Sequence, residues 1–329
     1  MRITDIKAYT MDAFRTNWTF IKVETDEGLY GWGEASLGTR EHALEGCVED
    51  MKRLIVGRNP IDIEKMWFEV YRDSYWKGGP VMMSALSGIE IACWDIAGKF
   101  YNAPVCNLLG GRLREQVPMY ANAWFTGART PEQFAEKARY TVSKGVKALK
   151  WDPFGKAHMT LSRREMDAAV ACVGAVREAV GPEVELLIEC HGRFNHYTAV
   201  EMSRELAPLK PMFIEEPTVP DCIDSLHWVR DHSQVPVAAV ERFYGNMRSG
   251  TCCTRRPSTS LSRTSSTTAA FWRARRSRRC AKAAMAGVVP QPVRAGVQCG
   301  NPAAGGLHAE LPDPRDHDHR WLVPRGRDR

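Results

Sequence analysis

Three short acidic stretches carry the residues that could do chemistry: Ile188–Arg193, Phe213–Pro217 and Ala239–Arg242. Each follows an apolar run, and their first carboxylates, Glu189, Glu215 and Glu241, are separated by 26 residues in each step. A repeat of this length is typical of the strand–helix units of a (β/α)8 barrel, whose chemistry lies at the carboxyl ends of the strands. Three converging carboxylates cannot all stay ionised without a cation between them. The spacing therefore predicts a metal site with oxygen ligands, and Mg2+ is the expected ion.

The elements that must position these acids differ between two parts of the chain. Residues 1–117 predict an α+β domain, with strands over 3–9, 18–24 and 29–34 and helices over 39–56, 61–72 and 84–100. Residues 118–249 predict strands over 119–124 and 146–151 and three more that end at the acids, with helices between them. That alternation is typical of parallel βα units. The predicted fold class is α/β, with a barrel that is incomplete at about five βα units.

The last stretch, residues 250–329, has a different composition. It carries a charge balance of +10, whereas residues 1–249 carry −4, and residues 251–329 contain no isoleucine. Clusters of arginine, serine, proline and glycine interrupt any strand periodicity, so the stretch predicts an irregular basic tail of low order. Our hypothesis for this composition is out-of-frame translation of a GC-rich gene.

Bulk properties narrow the class of protein further. The ten cysteines are scattered without a CxxC pair, which argues against a zinc cluster or a disulfide scaffold and favours a reducing cytoplasm. The sequence shows no signal-peptide pattern and no apolar run long enough to span a bilayer. A nucleic-acid role would have to rest on the basic tail, which lacks interleaved aromatic residues. We therefore expect neither a membrane nor a nucleic-acid partner.

Several motifs in a fixed order resemble the mandelate racemase / muconate lactonizing branch of the enolase superfamily. They are Gly31–Glu34, Ala85–Arg112 with its Cys93–Lys99 core and Gly110-Gly111, and the three acidic stretches. Within that branch the chain is most similar to acid-sugar dehydratases of the galactonate dehydratase type, over about residues 1–249. The resemblance implies a capping α+β domain over a modified barrel. It also implies a Mg2+ ion that holds a substrate carboxylate while a base removes the α-proton.

The resemblance assigns roles residue by residue. Glu189, Glu215 and Glu241 match the metal ligands; Glu216 is the neighbouring acid that competes with Glu215, and the family pattern favours the first of the two. His191, two residues beyond Glu189, would protonate the leaving hydroxyl and on a continuing strand would share the face of Glu189. A packing histidine is the alternative.

Three further positions are expected to meet the substrate. Lys150 would bind its carboxylate or act as a base, although the neighbouring anion Asp152 favours the ammonium form. Asp152, which stands where many relatives have a second lysine, is expected to bind substrate. Arg193 would bind a substrate hydroxyl or carboxylate, or would form a structural ion pair.

Two departures from the family pattern weigh on function. Val240 stands where relatives usually have glycine, and we expect it to crowd the metal. Residues 250–329 show no match to the aspartate–histidine pair and the last acid that relatives carry on later strands.

The leading prediction is Mg2+-dependent dehydration of a sugar acid to a 2-keto-3-deoxy acid by a cytoplasmic enzyme, a homo-oligomer if its barrel is complete. The alternatives are a cycloisomerase or epimerase using the same enediolate, an inactive homologue that binds metal without turnover, and a nucleic-acid-binding protein.

Overall fold

The structure, a computed structural model, describes residues 1–13, 16–112, 116, 118–239 and 241–242, and the backbone of 259–263 and 288–290. The described residues up to 112 belong to one compact unit, and those from 116 onward belong to a second.

The first unit is an α+β domain. Strands β1 (Ile3–Asp12), β2 (Asn17–Thr25) and β3 (Tyr30–Glu34) form an antiparallel sheet in that order. Helices α1 (Glu41–Ile55), α2 (Ile63–Asp73), α3 (Pro80–Phe100) and the short α4 (Val105–Leu108) follow. Glycine allows α3 to touch the sheet, because a Cβ atom on Gly33 would lie 1.9 Å from the carbonyl oxygen of Gly88. The three strands and three long helices that the sequence predicts are all present.

Helix α3 is the core helix of this unit. Its 21 residues have the length and mean hydropathy (1.3) of a membrane-spanning helix. That apolar length was not expected from the sequence, which alternates small and polar residues with the large apolar ones. The helix nevertheless buries 83% of its most apolar window within the unit. Its hydropathy is accounted for by this packing, as is usual for a helix that is apolar on all sides.

The second unit is built on parallel strands. Its elements are α5 (Pro131–Ser143), β4 (Ala148–Trp151), α6 (Arg163–Val180), β5 (Glu185–Glu189), α7 (His196–Leu206), β6 (Phe213–Glu215), α8 (Ile223–His232), β7 (Val237–Ala239), β8 (Thr259–Arg263) and β9 (Val288–Pro290). The strands pair in chain order, β4 to β9, and every pair is parallel. Capping boxes at Thr130 and Ser162 fix the starts of α5 and α6.

Two expectations about this sheet are wrong. Residues 119–124 form no strand: Ala121 makes a single parallel bridge to Leu149, and Ala123 has a φ of +57° that ends extended structure. Conversely, 259–263 and 288–290 are strands within the stretch that was predicted to be irregular. Parallel pairing uses backbone groups, so an open sheet edge can recruit segments whose composition gives no strand signal.

Side chains alternate between two faces along these strands. Leu149, Trp151, Leu186, Ile188, Ile214, Val237 and Ala239 pack in the large core that includes residues of α5, α6, α7 and α8. Leu187, Phe213 and Ala238 form a separate small cluster with Tyr120 and Ala148. The period of two places Lys150, Glu189 and Glu215 on this second face, at the carboxyl ends of β4, β5 and β6. The fold is thus an N-terminal α+β domain followed by an incomplete parallel barrel that collects polar residues at one end.

Candidate active site

The three predicted carboxylates come together. Glu189 and Glu215 are the last residues of β5 and β6 and lie opposite each other in the parallel register. Glu241 follows β7 in a turn, and ligand oxygens of all three lie within 4.8 Å of one another. Glu189 is 5% exposed and Glu215 is 1% exposed. The 26-residue steps thus reflect three successive strand ends, as predicted.

Lys150 is the counter-charge of this cluster. It is 2% exposed, and its Nζ atom lies 2.7 Å from Oε2 of Glu189 and 2.7 Å from Oε2 of Glu215. Burial lowers the pKa of Lys150, but the two carboxylates outweigh burial and raise that pKa above its ordinary value. The ammonium form is therefore favoured, as the sequence suggested. The responsible anions are Glu189 and Glu215, because Asp152 is occupied elsewhere.

The neighbouring titratable groups respond to the same crowding. Burial, and then the charge of Glu189, raise the pKa of the Glu241 carboxyl. Burial also raises the pKa of Tyr120 to about 12, with Lys150 opposing and the three carboxylates adding to the rise. Among the residues that the structure describes, three carboxylates lie close together in this cluster around the ammonium of Lys150. Close like charges of this kind shift protonation unless a cation joins them.

The carboxylate cluster is suited to a small hard cation. Ligand oxygens around Mg2+ lie about 2.0–2.1 Å from the ion in octahedral geometry, which separates them from one another by about 3–4 Å. The observed limit of 4.8 Å therefore requires only a small inward movement of the side chains. All three donors are carboxylates, the ligand type that Mg2+ prefers over nitrogen or sulfur.

Glu216 faces a different set of partners from Glu215. Its Oε1 accepts a hydrogen bond from the backbone N–H of Glu241 at 3.0 Å, and its Oε2 accepts one from Nη2 of Arg242 at 3.0 Å. Glu216 is 2% exposed and has a left-handed φ of +45°. That backbone conformation separates the adjacent acids: Glu215 joins the carboxylate cluster, and Glu216 holds the segment that carries Glu241.

Arg242 also reaches the loop after β5. A Cβ atom on Gly192, whose φ is +62°, would lie 1.8 Å from Nη2 of Arg242. The left-handed φ favours glycine there, and a side chain at this position would displace the Arg242 guanidinium. Since the Gly192 N–H donates to the carbonyl oxygen of Glu216 at 2.6 Å, the ends of β5, β6 and β7 are tied together.

His191 lies beside the cluster but does not extend β5. The strand ends at Glu189, and His191 has a φ of +52°, so the expectation of a continuing strand is wrong. Its backbone N–H donates to Oε1 of Glu189 at 2.8 Å. Its Nδ1 atom lies 2.7 Å from Oδ2 of Asp152, and the side chain is 59% exposed. The hydrogen bond to Asp152 raises the pKa of His191, against the smaller effect of burial.

Asp152 and Arg193 are occupied by protein partners. Nη2 of Arg193 donates to both Asp152 oxygens, at 2.8 and 2.7 Å. The remaining Arg193 contacts are backbone carbonyl oxygens, Cys190 for Nε at 3.1 Å and Gly155 for Nη1 at 2.7 Å. Of the two alternatives for Arg193, this geometry favours the structural ion pair.

Three features of the site were not found from the sequence. Tyr120 lines it from a segment that is not a strand, and the Glu216–Arg242 contact depends on one left-handed residue. The Asp152–His191 contact joins residues 39 positions apart. An acid two residues beyond Lys150 and a histidine two residues beyond Glu189, on adjacent parallel strands, were the available signal for that last contact. Val240, which was expected to crowd the metal, lies outside the described residues.

Comparison with known proteins places this fold and site in one family. The family model for the mandelate racemase / muconate lactonizing enzyme N-terminal domain matches residues 7–110, and the enolase C-terminal domain-like model matches residues 133–323. The chain therefore belongs to the enolase superfamily, in its mandelate racemase / muconate lactonizing enzyme branch. The second match extends past residue 249, although the sequence motifs predicted a resemblance over about residues 1–249 only.

Individual relatives point in the same direction. The chain is 35% identical over 244 residues to D-galactonate dehydratase of Variovorax paradoxus, and equally to that of Pectobacterium atrosepticum. Each alignment covers 74% of this chain and 62% of the relative, so the chain spans less than two thirds of these relatives. A crystal structure of an enolase superfamily member from Salmonella Typhimurium superposes with a TM-score of 0.85 at 27% identity. That superposition covers 89% of this chain and 81% of the other.

Proposed function

We propose that this protein is a Mg2+-dependent hydro-lyase that dehydrates a sugar acid to a 2-keto-3-deoxy acid. The observation that carries the proposal is the cluster of Glu189, Glu215 and Glu241, the first two buried and the third half-buried, with the Lys150 ammonium against Glu189 and Glu215 and with His191 at its edge. The D-galactonate dehydratases that the chain resembles make an aldonate the first substrate class to test.

The reaction needs help at two points. An α-proton next to a carboxylate is a very weak acid, and its removal places a second negative charge on the substrate. A divalent ion held by Glu189, Glu215 and Glu241 would supply charge neutralisation there. Lys150 adds a fixed positive charge on the same face of the sheet. Because its pKa is raised, we assign Lys150 to binding the substrate carboxylate and not to removing the proton.

The second point is the departing hydroxyl group. A base takes the α-proton, the C–H electron pair forms a C=C bond, and the C–O bond to the β-carbon breaks. His191 donates its Nε2 proton to the departing oxygen, which leaves as water, and the resulting enol becomes the 2-keto acid. A raised pKa keeps more of this imidazole protonated near neutral pH, as an acid requires. Relatives carry this base on later strands, and residues 250–329 show no match to the aspartate–histidine pair that supplies it.

The proposal also covers the compartment, the substrate, the assembly and the domain division of the enzyme. We place the enzyme in the cytoplasm, with a small-molecule sugar acid as its partner and a homo-oligomer as its assembly. The domain division at 117/118, with residues 1–117 as an α+β capping domain in the family's sense, belongs to the same proposal. Unpaired thiols such as the buried Cys93, Cys172 and Cys190 support a reducing compartment.

The test is a screen of an acid-sugar library for 2-keto acid formation with Mg2+ and with EDTA. We expect one or a few aldonates or aldarates to give product that EDTA abolishes. The H191N variant is expected to lose product formation while still binding metal, and asparagine is chosen because it tolerates the left-handed backbone. Formation of an epimer or lactone in place of a 2-keto acid would support the cycloisomerase or epimerase alternative. Metal binding without any product would support the inactive homologue.

A further inference from the structure

We infer that Asp152 and Arg193 do not bind substrate but form a positioning pair that holds His191 in one tautomer with its Nε2 atom directed outward. This inference deepens the proposed function and rests on His191 being its proton donor. It replaces the substrate-binding role that the sequence suggested for both residues.

The hydrogen bonds of Asp152 show that protein groups already use its acceptor sites. A carboxylate has about four acceptor sites. Oδ1 accepts from the backbone N–H of Phe154 at 2.9 Å and from Arg193 at 2.8 Å. Oδ2 accepts from Arg193 at 2.7 Å and lies 2.7 Å from Nδ1 of His191. All four sites are used, so Asp152 has no capacity left for a substrate hydroxyl.

The nitrogen atoms of Arg193 are likewise bound to protein oxygens. Each of its three nitrogens already donates to an oxygen of the protein, and the side chain is only 18% exposed. The guanidinium balances the charge of Asp152 and fixes the plane of that carboxylate through a two-fold contact. The charges of the pair are thus balanced without a ligand, and four guanidinium hydrogen bonds go to protein oxygens.

The backbone around the pair also holds His191. The loop after β4 and the loop after β5 are joined by a bridge between Met159 and Phe194, and a second bridge joins Phe194 to Thr218 after β6. His191 has a left-handed φ and donates its N–H to Glu189. The imidazole is therefore held at its backbone and at Nδ1, and Nε2 is the nitrogen left to meet a ligand.

The carboxylate also selects the tautomer. Because Asp152 only accepts hydrogen bonds, the neutral imidazole beside it must keep its hydrogen on Nδ1. Nε2 then exchanges the reacting proton in every cycle. The same logic applies to the aspartate of a serine protease triad, which orients its histidine and does not itself react.

The D152N variant separates positioning from substrate binding. The Phe154 N–H faces only Oδ1, whereas Nη2 of Arg193 faces both oxygens, so we expect the Phe154 N–H to hold the amide oxygen at the Oδ1 position. The amide NH2 then faces Nδ1 of His191 and forces the opposite tautomer. We expect kcat to fall by on the order of 10²–10⁴ with KM within about twofold of the wild type. R193K, which keeps the charge but loses the guanidinium contacts to the Cys190 and Gly155 carbonyl oxygens, should lower kcat about tenfold.

A second readout needs no activity. In metal-free protein labelled with 15N-histidine, above the pKa of His191, a long-range 1H–15N spectrum should show the Nδ1–H tautomer in the wild type. The Nε2–H tautomer is expected in D152N. H191N assigns the signal among the nine histidines. The control D167N makes the same chemical change at an exposed aspartate of α6 that pairs with Arg163. It should alter neither the tautomer nor turnover.

Contrary results are equally specific. A rise in KM at unchanged kcat in D152N would restore the substrate-binding role, and an unchanged tautomer would refute the positioning role. If the tautomer switches as expected but no sugar acid is turned over by the wild type, the positioning pair stands and the proposed function fails. Metal affinity within about twofold of the wild type in D152N is required, since weaker binding would mean a general disruption of the strand ends.

Discussion

Two polar clusters lie side by side at the carboxyl ends of β4, β5 and β6, and they are built on opposite principles. Glu189 and Glu215 are buried and Glu241 is half-buried, and among the described residues these three carboxylates share the ammonium of Lys150. The Asp152–Arg193–His191 cluster has paired charges, and each acceptor site of its carboxylate is used. The first is electrostatically incomplete and is suited to take up a cation. The second is complete and is suited to hold a geometry that chemistry requires.

The largest expected effect comes from removing one charge from the incomplete cluster. E215Q keeps the shape of the side chain but removes the charge of a proposed metal ligand that is 1% exposed. A loss of several kcal/mol of charge stabilisation corresponds to a fall in kcat/KM of on the order of 10³-fold or more. Mg2+ binding measured by calorimetry should weaken in parallel, with circular dichroism as the check on folding. Full turnover in E215Q would contradict the metal assignment.

The next effect concerns the ammonium. K150M removes the partner of two buried carboxylates, so the metal-free protein should lose about 3–5 kcal/mol of unfolding free energy. Removing a positive charge should also favour a divalent cation. The rise in thermal midpoint on adding Mg2+ should therefore be larger in K150M than in the wild type. K156M, outside this cluster, serves as the control. An equal or smaller Mg2+ response would show that the ammonium does not oppose the metal.

A smaller effect tests how Glu241 is held. E216Q weakens the contacts to the Glu241 N–H and to Arg242 without touching a predicted ligand. Losses of this kind typically reduce metal affinity 10–100-fold, so we expect about tenfold weaker Mg2+ binding. R242M should give a similar shift, since it removes the other end of the same contact. Unchanged affinity in both variants would mean that Glu241 is positioned by other groups.

The smallest effect belongs to the complete cluster. Because the folded-state pKa of His191 is raised, its ion pair with Asp152 adds stability below the unfolded pKa of about 6.5. That stability is lost as pH rises through the folded pKa. The wild type should therefore exceed H191N in stability most at acid pH, by less than about 1 kcal/mol for so exposed a side chain. Urea unfolding from pH 5 to 9 measures the difference, and a gap that widened with pH would have the wrong sign.

The sequence predicted the composition of the incomplete cluster better than that of the complete one. Equal spacing identified Glu189, Glu215 and Glu241, because residues at the ends of successive strands are separated by the length of one strand–helix unit. It could not separate the roles of Glu215 and Glu216, which depend on one left-handed φ, or anticipate that Asp152 meets His191. Such contacts arise from loop conformations that carry no periodic signal.

The strands show the same limit. Four of the six parallel strands were predicted from their apolar runs, while β8 and β9 were missed and 119–124 was wrongly assigned. In the missed cases, backbone pairing at a sheet edge determines the structure. In the wrong case, an apolar and aromatic segment packs against the sheet, with Trp124 donating to the carbonyl oxygen of Lys150, without joining it.

The alternation of side chains along β4 to β7 has a consequence for how this protein can change. Residues of one parity pack against helices, and residues of the other carry Lys150, Glu189 and Glu215 above a small apolar layer. Substitutions on the two faces should therefore have nearly independent effects. Those on the helix-facing side should alter expression level and thermal stability, and those on the side of Lys150, Glu189 and Glu215 should alter selectivity. In a mutational scan of these four strands, the two kinds of effect should therefore alternate from one residue to the next.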